Sequence, residues 1–118
     1  MDIEYNGNHG YFVKPAESTI PSSAVGVVAI QEWWGINPAM KSMAQRFADA
    51  GVLCLVPDLY HGRVASTEDE ARHLMTGLDW PAAVKEIHAA AQYLRSQGCV
   101  KVFSTGFFMG GALSAASA

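Results

Sequence analysis

The sequence predicts one α/β domain with three layers, in which helices cover both faces of a mainly parallel sheet. Three apolar runs rich in β-branched residues have strand length, at residues 24–30, 52–56 and 100–105. Stretches with helical periodicity separate them, and strands that alternate with helices form parallel βαβ units with right-handed crossovers. With 118 residues, half of them apolar, the chain has material for one globular domain.

A β-hairpin is expected at the start of the chain. Residues 3–5 and 11–13 flank the segment Asn-Gly-Asn-His-Gly at residues 6–10, which is rich in residues that tolerate positive φ. A connection rich in Pro and Ser follows at residues 14–23. The next run, residues 24–30, is continuously apolar, which is the pattern of a strand covered on both faces.

Capping residues mark the first two helices. Asn37 is expected to cap a helix that has Pro38 at its first position and ends at Gly51. Its apolar stripe indicates core contacts rather than a cofactor site: Met40, Met43, Ala44 and Phe47. Thr67 and Glu70 form a capping box for a second, short helix.

A longer helix is expected to begin at Trp80 and to end before Gly98. Its predicted core face repeats at helical spacing: Val84, Ile87, Ala91 and Leu94. Cys54 and Cys99 lie in or beside apolar runs, where buried structural thiols are expected rather than reactive or disulfide-bonded ones.

Composition and charge argue against several classes of function. The net charge is −3 and the eight cationic residues are dispersed, so there is no basic footprint for nucleic acid. No apolar run approaches the length that spans a bilayer, and the acidic opening is not a signal peptide. We therefore expect a cytoplasmic protein with no membrane partner, no cofactor and no metal.

The segment after the third run has the glycine frame of a nucleophile elbow. Residues 106–111 read Gly-Phe-Phe-Met-Gly-Gly, with Gly106 and Gly110 two residues on either side of Phe108. Such a turn normally lifts a Ser or Cys above the sheet and aims backbone N–H groups at an oxyanion. Phe108 has no atom that can attack a carbonyl. An ordinary strand-to-helix turn remains open at this point, whereas a nucleotide-binding loop is disfavoured because the spacing differs and no lysine follows.

Three separated motifs together resemble the dienelactone hydrolase (carboxymethylenebutenolidase) family. They are Gln-Glu-Trp-Trp-Gly at residues 31–35, Pro-Asp-Leu-Tyr at residues 57–60 and the glycine frame at residues 106–111. The resemblance implies the N-terminal part of the three-layer α/β-hydrolase fold: a β-hairpin, a parallel βαβαβ unit and the elbow helix. It also implies the hydrolysis of a carboxylic ester or lactone, with a small molecule as substrate.

The resemblance assigns the site residues. Phe108 occupies the position of the nucleophilic cysteine, and Glu32 corresponds to the acidic residue that interacts with the resting thiol and takes part in its activation. The oxyanion N–H groups correspond to those of Trp33 and Met109. Two weaker assignments concern substrate binding: Trp34 in the pocket and Arg72 as a partner of the substrate carboxylate.

Several of these side chains also have a purely structural interpretation. Glu32 fits a strand-end carboxylate satisfied by backbone N–H groups, although the carboxyl ends of strands in open α/β sheets favour ligand binding. Arg72 fits an ordinary exposed arginine of a helix, and the sequence does not specify which tryptophan lines the pocket and which packs in the core. Asp58 and His61 share the same rim, but no nucleophile accompanies them, so turn and loop roles are expected.

The resemblance places the family's catalytic Asp and His after later strands than those in this sequence. Residues 1–118 are therefore expected to form a partial domain, truncated after the elbow and inactive. The strand at residues 100–105 is expected to become an exposed sheet edge. Self-association or a complementing chain would cover it, and the alternative to a hydrolase is a non-catalytic interaction protein.

Overall fold

The computed structural model describes residues 1–15 and 25–106, together with Ala116. The strands in these residues are β1 (Asp2–Tyr5), β2 (Asn8–Val13), β3 (Val25–Ile30), β4 (Leu53–Pro57) and β5 (Lys101–Gly106). The helices are α1 (Pro38–Asp49), α2 (Glu68–Thr76) and α3 (Trp80–Ser96). Every strand and helix predicted within these residues is therefore present, with bounds that differ by one to three residues.

The strands form one mixed sheet in the order β1-β2-β4-β3-β5. β3 pairs in parallel with β4 on one side and with β5 on the other, while β2 joins β4 in antiparallel orientation. Within residues 1–15 and 25–106, β5 has a paired strand on one side only, so β5 forms an edge of the sheet as predicted. The hairpin thus extends the sheet on the side away from β5.

Helices cover both faces of the sheet. Alternate residues of β3 face opposite sides, because side chains alternate along a strand. Val27 and Ala29 join a core cluster with Met40 of α1. Val28 and Ile30 join the other core cluster with residues of α3. The three-layer α/β class is therefore confirmed.

The hairpin turn contains only two residues. Tyr5 pairs with Asn8, and the intervening Asn6 and Gly7 have φ values of 49° and 79°. Positive φ at both central residues matches the right-handed twist of the flanking strands. β2 consequently begins at Asn8, three residues earlier than predicted, because two residues are enough to reverse the chain.

The predicted caps are formed. The Met40 N–H donates to Asn37 Oδ1 at 3.1 Å, and the Glu70 N–H donates to Thr67 Oγ1 at 3.2 Å. In a complete capping box the Glu70 carboxylate would accept a hydrogen bond from the backbone N–H of Thr67. Here it accepts from the backbone N–H and the hydroxyl of Ser66 instead. Both helices therefore begin where the capping residues predicted.

The core face of α3 differs slightly from the predicted one. Its fully buried residues are Ala83, Ile87, Ala90 and Leu94. Val84 and Ala91, which were predicted to face the core, are only partly buried. The small side chains of Ala83 and Ala90 allow the helix backbone to approach the sheet, which rotates the contact stripe towards them.

Candidate functional site

Two family motifs and Gly106, the first residue of the third, lie at one rim of the sheet. β3 lies between β4 and β5 and parallel to both, so the carboxyl ends of all three strands point the same way. Ile30, the last residue of β3, pairs with Gly106, the first glycine of the elbow frame. The Gln-Glu-Trp-Trp-Gly motif therefore begins beside the start of the elbow frame, and the Pro-Asp-Leu-Tyr motif lies on its other side at the end of β4.

A tight turn follows the end of β3. The Gly35 N–H donates to Glu32 O at 3.2 Å, so residues 32–35 close a four-residue turn. Trp33 is the second residue of this turn, and the Trp33 N–H takes no part in the hydrogen bond that closes the turn. Gly35 has a φ of 92°, which favours glycine. This geometry leaves the Trp33 N–H, the predicted oxyanion donor, outside the turn's own bonding.

Glu32 lies on the α1 side of this rim. It is half-buried and lines a cavity of about 170 Å³ together with Asn37, Met40 and Met43 from the start of α1. The cavity therefore leaves Glu32 partly accessible from solvent.

The two tryptophans of the motif contact each other edge to face. Their ring centroids are 5.6 Å apart and the ring planes meet at 71°. Trp33 also packs against the core cluster on the α3 side of the sheet. The carbonyl of Trp34 accepts a hydrogen bond of 2.8 Å from the Ala65 N–H. Both residues are thus held in place by contacts outside their own loop.

Asp58 and His61 shape the loop after β4. Asp58 Oδ2 accepts from the Gly62 N–H at 2.7 Å, while His61 has a φ of 52° and places Nε2 2.9 Å from Glu86 Oε1. These contacts agree with the predicted turn and loop roles. Both residues line a second cavity of about 790 Å³, which reaches towards the hairpin and includes Lys41.

Arg72, another predicted site residue, contacts a residue of its own helix instead. Arg72 is exposed on α2, and its Nη1 lies 3.5 Å from Asp69 Oδ1 on the same helix. Its assignment to a substrate carboxylate stays a prediction. Phe108 and Met109 lie outside the described residues, and their roles stay predictions too.

Two residues that sequence reasoning did not assign to the site prove to organise it. Gln31 is fully buried, and its Oε1 accepts a hydrogen bond of 2.9 Å from the Leu59 N–H across the strand ends. At Gly35, a Cβ atom would lie 2.6 Å from the carbonyl oxygen of Arg63. The sequence did offer a signal for Gln31, because this polar residue follows directly after an apolar run. It offered none for Gly35, whose contact depends on residues far along the chain.

The described cysteines are buried free thiols, as predicted. Burial raises the pKa of Cys54 to about 12 and also raises the pKa of Cys99. A thiolate is the reactive form of cysteine, so neither thiol is a nucleophile near neutral pH. Among the described residues, no group of three His, Cys, Asp or Glu side chains is arranged to hold a metal ion.

The raised pKa of Cys54 predicts alkaline destabilisation. The pKa of the Cys54 thiol is about 12 in the folded chain, whereas its ordinary value is 9.0. Below pH 9 the folded and the unfolded chain both keep this proton, so the contribution of Cys54 to stability is fully present there. Between pH 9 and 12 the unfolded state loses the proton first, and the free energy of unfolding falls by about 1.4 kcal/mol per pH unit from this group. Urea unfolding at pH 8 to 11 measures the slope, which Cys54→Ala should reduce. An equal slope in both proteins would contradict the assignment.

Comparisons with known proteins point to one family. The model of the Dienelactone hydrolase family matches residues 9–118. Protein usf of Aquifex pyrophilus is 33% identical over an alignment of 123 residues, gaps included, that covers 95% of this chain and 52% of that protein. Carboxymethylenebutenolidase 1 of Cupriavidus pinatubonensis is 32% identical over 117 residues, which cover 88% of this chain and 47% of that protein.

The fold gives the same result. The solved structure named m3DLH superposes with a TM-score of 0.82 at 26% identity, covering 100% of this chain and 52% of that one. The chain therefore spans about half the length of the relatives that it matches. None of the helices in the described part of the chain is long and apolar enough to cross a membrane.

Proposed function

The chain belongs to the dienelactone hydrolase family, and we propose that it keeps part of a carboxylic-ester or lactone hydrolase site but is itself catalytically inactive. One observation supports the proposal: Ile30 at the end of β3 pairs with Gly106, so the loop that carries Glu32 and Trp33 begins beside the start of the elbow frame. Phe108 occupies the nucleophile position two residues beyond Gly106. Its hydrocarbon ring cannot attack a carbonyl carbon.

The chemistry of the family explains what each residue would contribute. A thiolate attacks the ester or lactone carbonyl, an acyl-enzyme forms, and water hydrolyses it. The N–H groups of Trp33 and Met109 would stabilise the negative oxygen of the tetrahedral intermediate. Glu32 would control the protonation of the thiol. With Phe108 in place of that thiol, the frame remains without its reactive atom.

Hydrolysis assays test the inactivity. We expect activated esters and lactones to be hydrolysed no faster with the chain than in buffer alone. Phe108→Cys should not restore turnover in the 118-residue chain, because the family resemblance assigns the triad's Asp and His to later strands. Turnover that survives both Phe108→Ala and treatment with serine blockers would refute the proposal.

A second experiment tests whether the site around the elbow frame is intact. If Phe108 and Glu32 belong to one site, the Glu32 carboxylate should raise the pKa of the thiol introduced by Phe108→Cys, because like charges disfavour the thiolate. Glu32→Gln should then lower that pKa by about one unit, which is visible in the pH profile of reaction with a neutral disulfide. Cys54 and Cys99 are buried and should not react with the disulfide.

The matched control for that experiment is Phe103→Cys. Phe103 is an exposed residue of β5, so a thiol there reports the ordinary reactivity of an exposed cysteine. Its pH profile should not respond to Glu32→Gln. If the thiol introduced at Phe108 is equally indifferent to Glu32, the assignment of both residues to one site fails.

A second candidate function is a non-catalytic interaction through β5. Within the described residues this strand is paired on one side only, and Phe103 and Val100 are 57% and 75% exposed. An unpaired edge with apolar side chains favours pairing with another strand, supplied by a second copy or by a complementing chain. Light scattering of the purified chain tests this, because a monodisperse monomer would exclude self-association. Phe103→Lys should reduce assembly, whereas Trp80→Lys on α3 should not.

A further inference from the structure

Two loops at the rim are joined by contacts between residues distant in sequence. The first, residues 31–37, follows β3 and carries Glu32; the second, residues 58–65, follows β4. We call them the β3 loop and the β4 loop. The Leu59 N–H donates to Gln31 Oε1 at 2.9 Å, and the Ala65 N–H donates to Trp34 O at 2.8 Å. The loops are therefore connected near the first residue of the β3 loop and again three residues later.

Close packing between the loops reinforces these two hydrogen bonds. A Cβ atom at Gly35 would lie 2.6 Å from Arg63 O and 3.4 Å from Val64 Cα. The two backbones are thus in contact where the turn at residues 32–35 closes. Glu32 and Trp33 lie between the two hydrogen-bonded points, so the position of both depends on the β4 loop.

The chemistry of the Gln31 side chain favours a role in geometry. The residue is fully buried, and its Nε2 has no hydrogen-bond partner among the described residues. A buried N–H without a partner is costly, and this cost offsets the gain from the bond that Oε1 accepts. Gln31 therefore contributes little net free energy to folding through these two atoms. Its Oε1 nevertheless holds the Leu59 N–H of the β4 loop.

We propose that Gln31 is a positioning residue, which clamps the β4 loop to the β3 loop and thereby sets the placement of Glu32 and the Trp33 N–H. The role of those two groups in the site rests on the proposed function. The clamp itself is a statement about two loops and can be tested without any activity.

The first test is amide hydrogen exchange in Gln31→Met, which keeps the side-chain length but cannot accept the hydrogen bond. The exchange of Leu59 and Ala65 should accelerate about tenfold, since one buried hydrogen bond changes a local opening equilibrium by roughly that factor. The exchange of the Ala65 amide distinguishes a clamp of both loops from a single broken hydrogen bond, because Gln31 does not bond to Ala65. The amide of Ala90 within α3 reports global opening and should change much less.

Gln45→Met is the matched control, since Gln45 makes an exposed bond of 2.9 Å from its Nε2 to Asp49 Oδ1 on α1. It should leave Leu59 and Ala65 unchanged. Acceleration at Leu59 alone would reduce the clamp to one isolated hydrogen bond and overturn the proposal. Equal acceleration at Leu59, Ala65 and Ala90 would also overturn it, because the effect would then be a general loss of stability.

The second test uses the tryptophan pair as a spectroscopic reporter. In a Trp80→Phe background, the circular dichroism at near-ultraviolet wavelengths longer than tyrosine absorbs arises from Trp33 and Trp34, whose rings meet edge to face. Gln31→Met should change this signal. Val27→Ala, which loosens the core on the α1 side of the sheet and leaves the cluster with Trp33 and Leu59 intact, should preserve it. A signal unaffected by Gln31→Met would contradict a positioning role.

A measurement on the unmodified chain covers the case in which Gln31→Met does not fold. Leu59 and Ala65 should then exchange through one common opening, with the same dependence on urea, and openings with different dependence would overturn the clamp. The proposed function fails separately. If the loops open together but the thiol introduced by Phe108→Cys ignores Glu32→Gln, the hydrolase site is wrong and the clamp stands.

Discussion

Gly35→Ala is expected to lower the free energy of unfolding by about 3 kcal/mol, from backbone strain and from overlap between two loops. Gly35 has a φ of 92°, which a residue with a Cβ atom adopts only at a cost. The added Cβ would also lie 2.6 Å from Arg63 O and 3.3 Å from Tyr60 Cδ2. Because Arg63 O belongs to the backbone, the β4 loop itself must move. Urea unfolding measures the loss.

Gly62→Ala separates the two causes. Gly62 also has a φ of 92°, but a Cβ atom there meets nothing within 4 Å. This variant should lose only the strain contribution, about 1 kcal/mol. The difference between the two variants then measures the contact between the loops. Equal losses would mean that the β4 loop adapts freely, and the described contact would carry no energy.

Leu94→Ala is expected to cost roughly 3 kcal/mol, as is usual when a fully buried leucine is truncated. Leu94 is completely buried where α3 packs on the sheet. A Cβ atom at Gly26 of β3 would lie 3.1 Å from Leu94 Cδ1, so this side chain packs directly on the backbone of the central strand. Truncation leaves a cavity that the rigid β3 cannot fill. Urea unfolding with an unchanged dependence on urea concentration would confirm a loss of stability alone.

Phe103→Ala is the matched control in β5. Its side chain is 57% exposed, so its truncation should change the free energy of unfolding by less than about 0.5 kcal/mol in the monomer. A larger loss that grows with protein concentration would indicate that another chain covers Phe103. A loss at Leu94 no greater than that at Phe103 would contradict the described core.

Much of the fold could be predicted because its signals are local. Asn37 and Thr67 accept hydrogen bonds from backbone N–H groups three residues ahead, so their helices begin where the sequence indicates. The hairpin was predicted from residues that tolerate positive φ, although its turn contains only Asn6 and Gly7 rather than the whole segment 6–10. On α3, Ile87 and Leu94 are buried as predicted, whereas Ala83 and Ala90 replace the residue after each, because their small size matters only when the helix meets the sheet.

The site could be predicted less completely. The family motifs predict site roles for Glu32 and Trp33, and parallel strands bring their loop to the same rim as Gly106. Nothing local indicated that Gln31 would bond to Leu59, since 28 residues separate the two. Arg72 illustrates the opposite case, because its neighbour Asp69 on the same helix accounts for its observed contact.

The sequence by itself determined the class of the domain, the boundaries of its helices and strands within a few residues, and the glycine frame around Phe108. Hydrophobic periodicity, caps and turn residues act over a few positions, so they can be interpreted without a structure. Only the tertiary structure decided the antiparallel attachment of the hairpin to β4, the rim shared by two motifs and Gly106, and the hydrogen bond from Leu59 to Gln31. These depend on which distant backbone groups come within hydrogen-bonding distance once the sheet has formed.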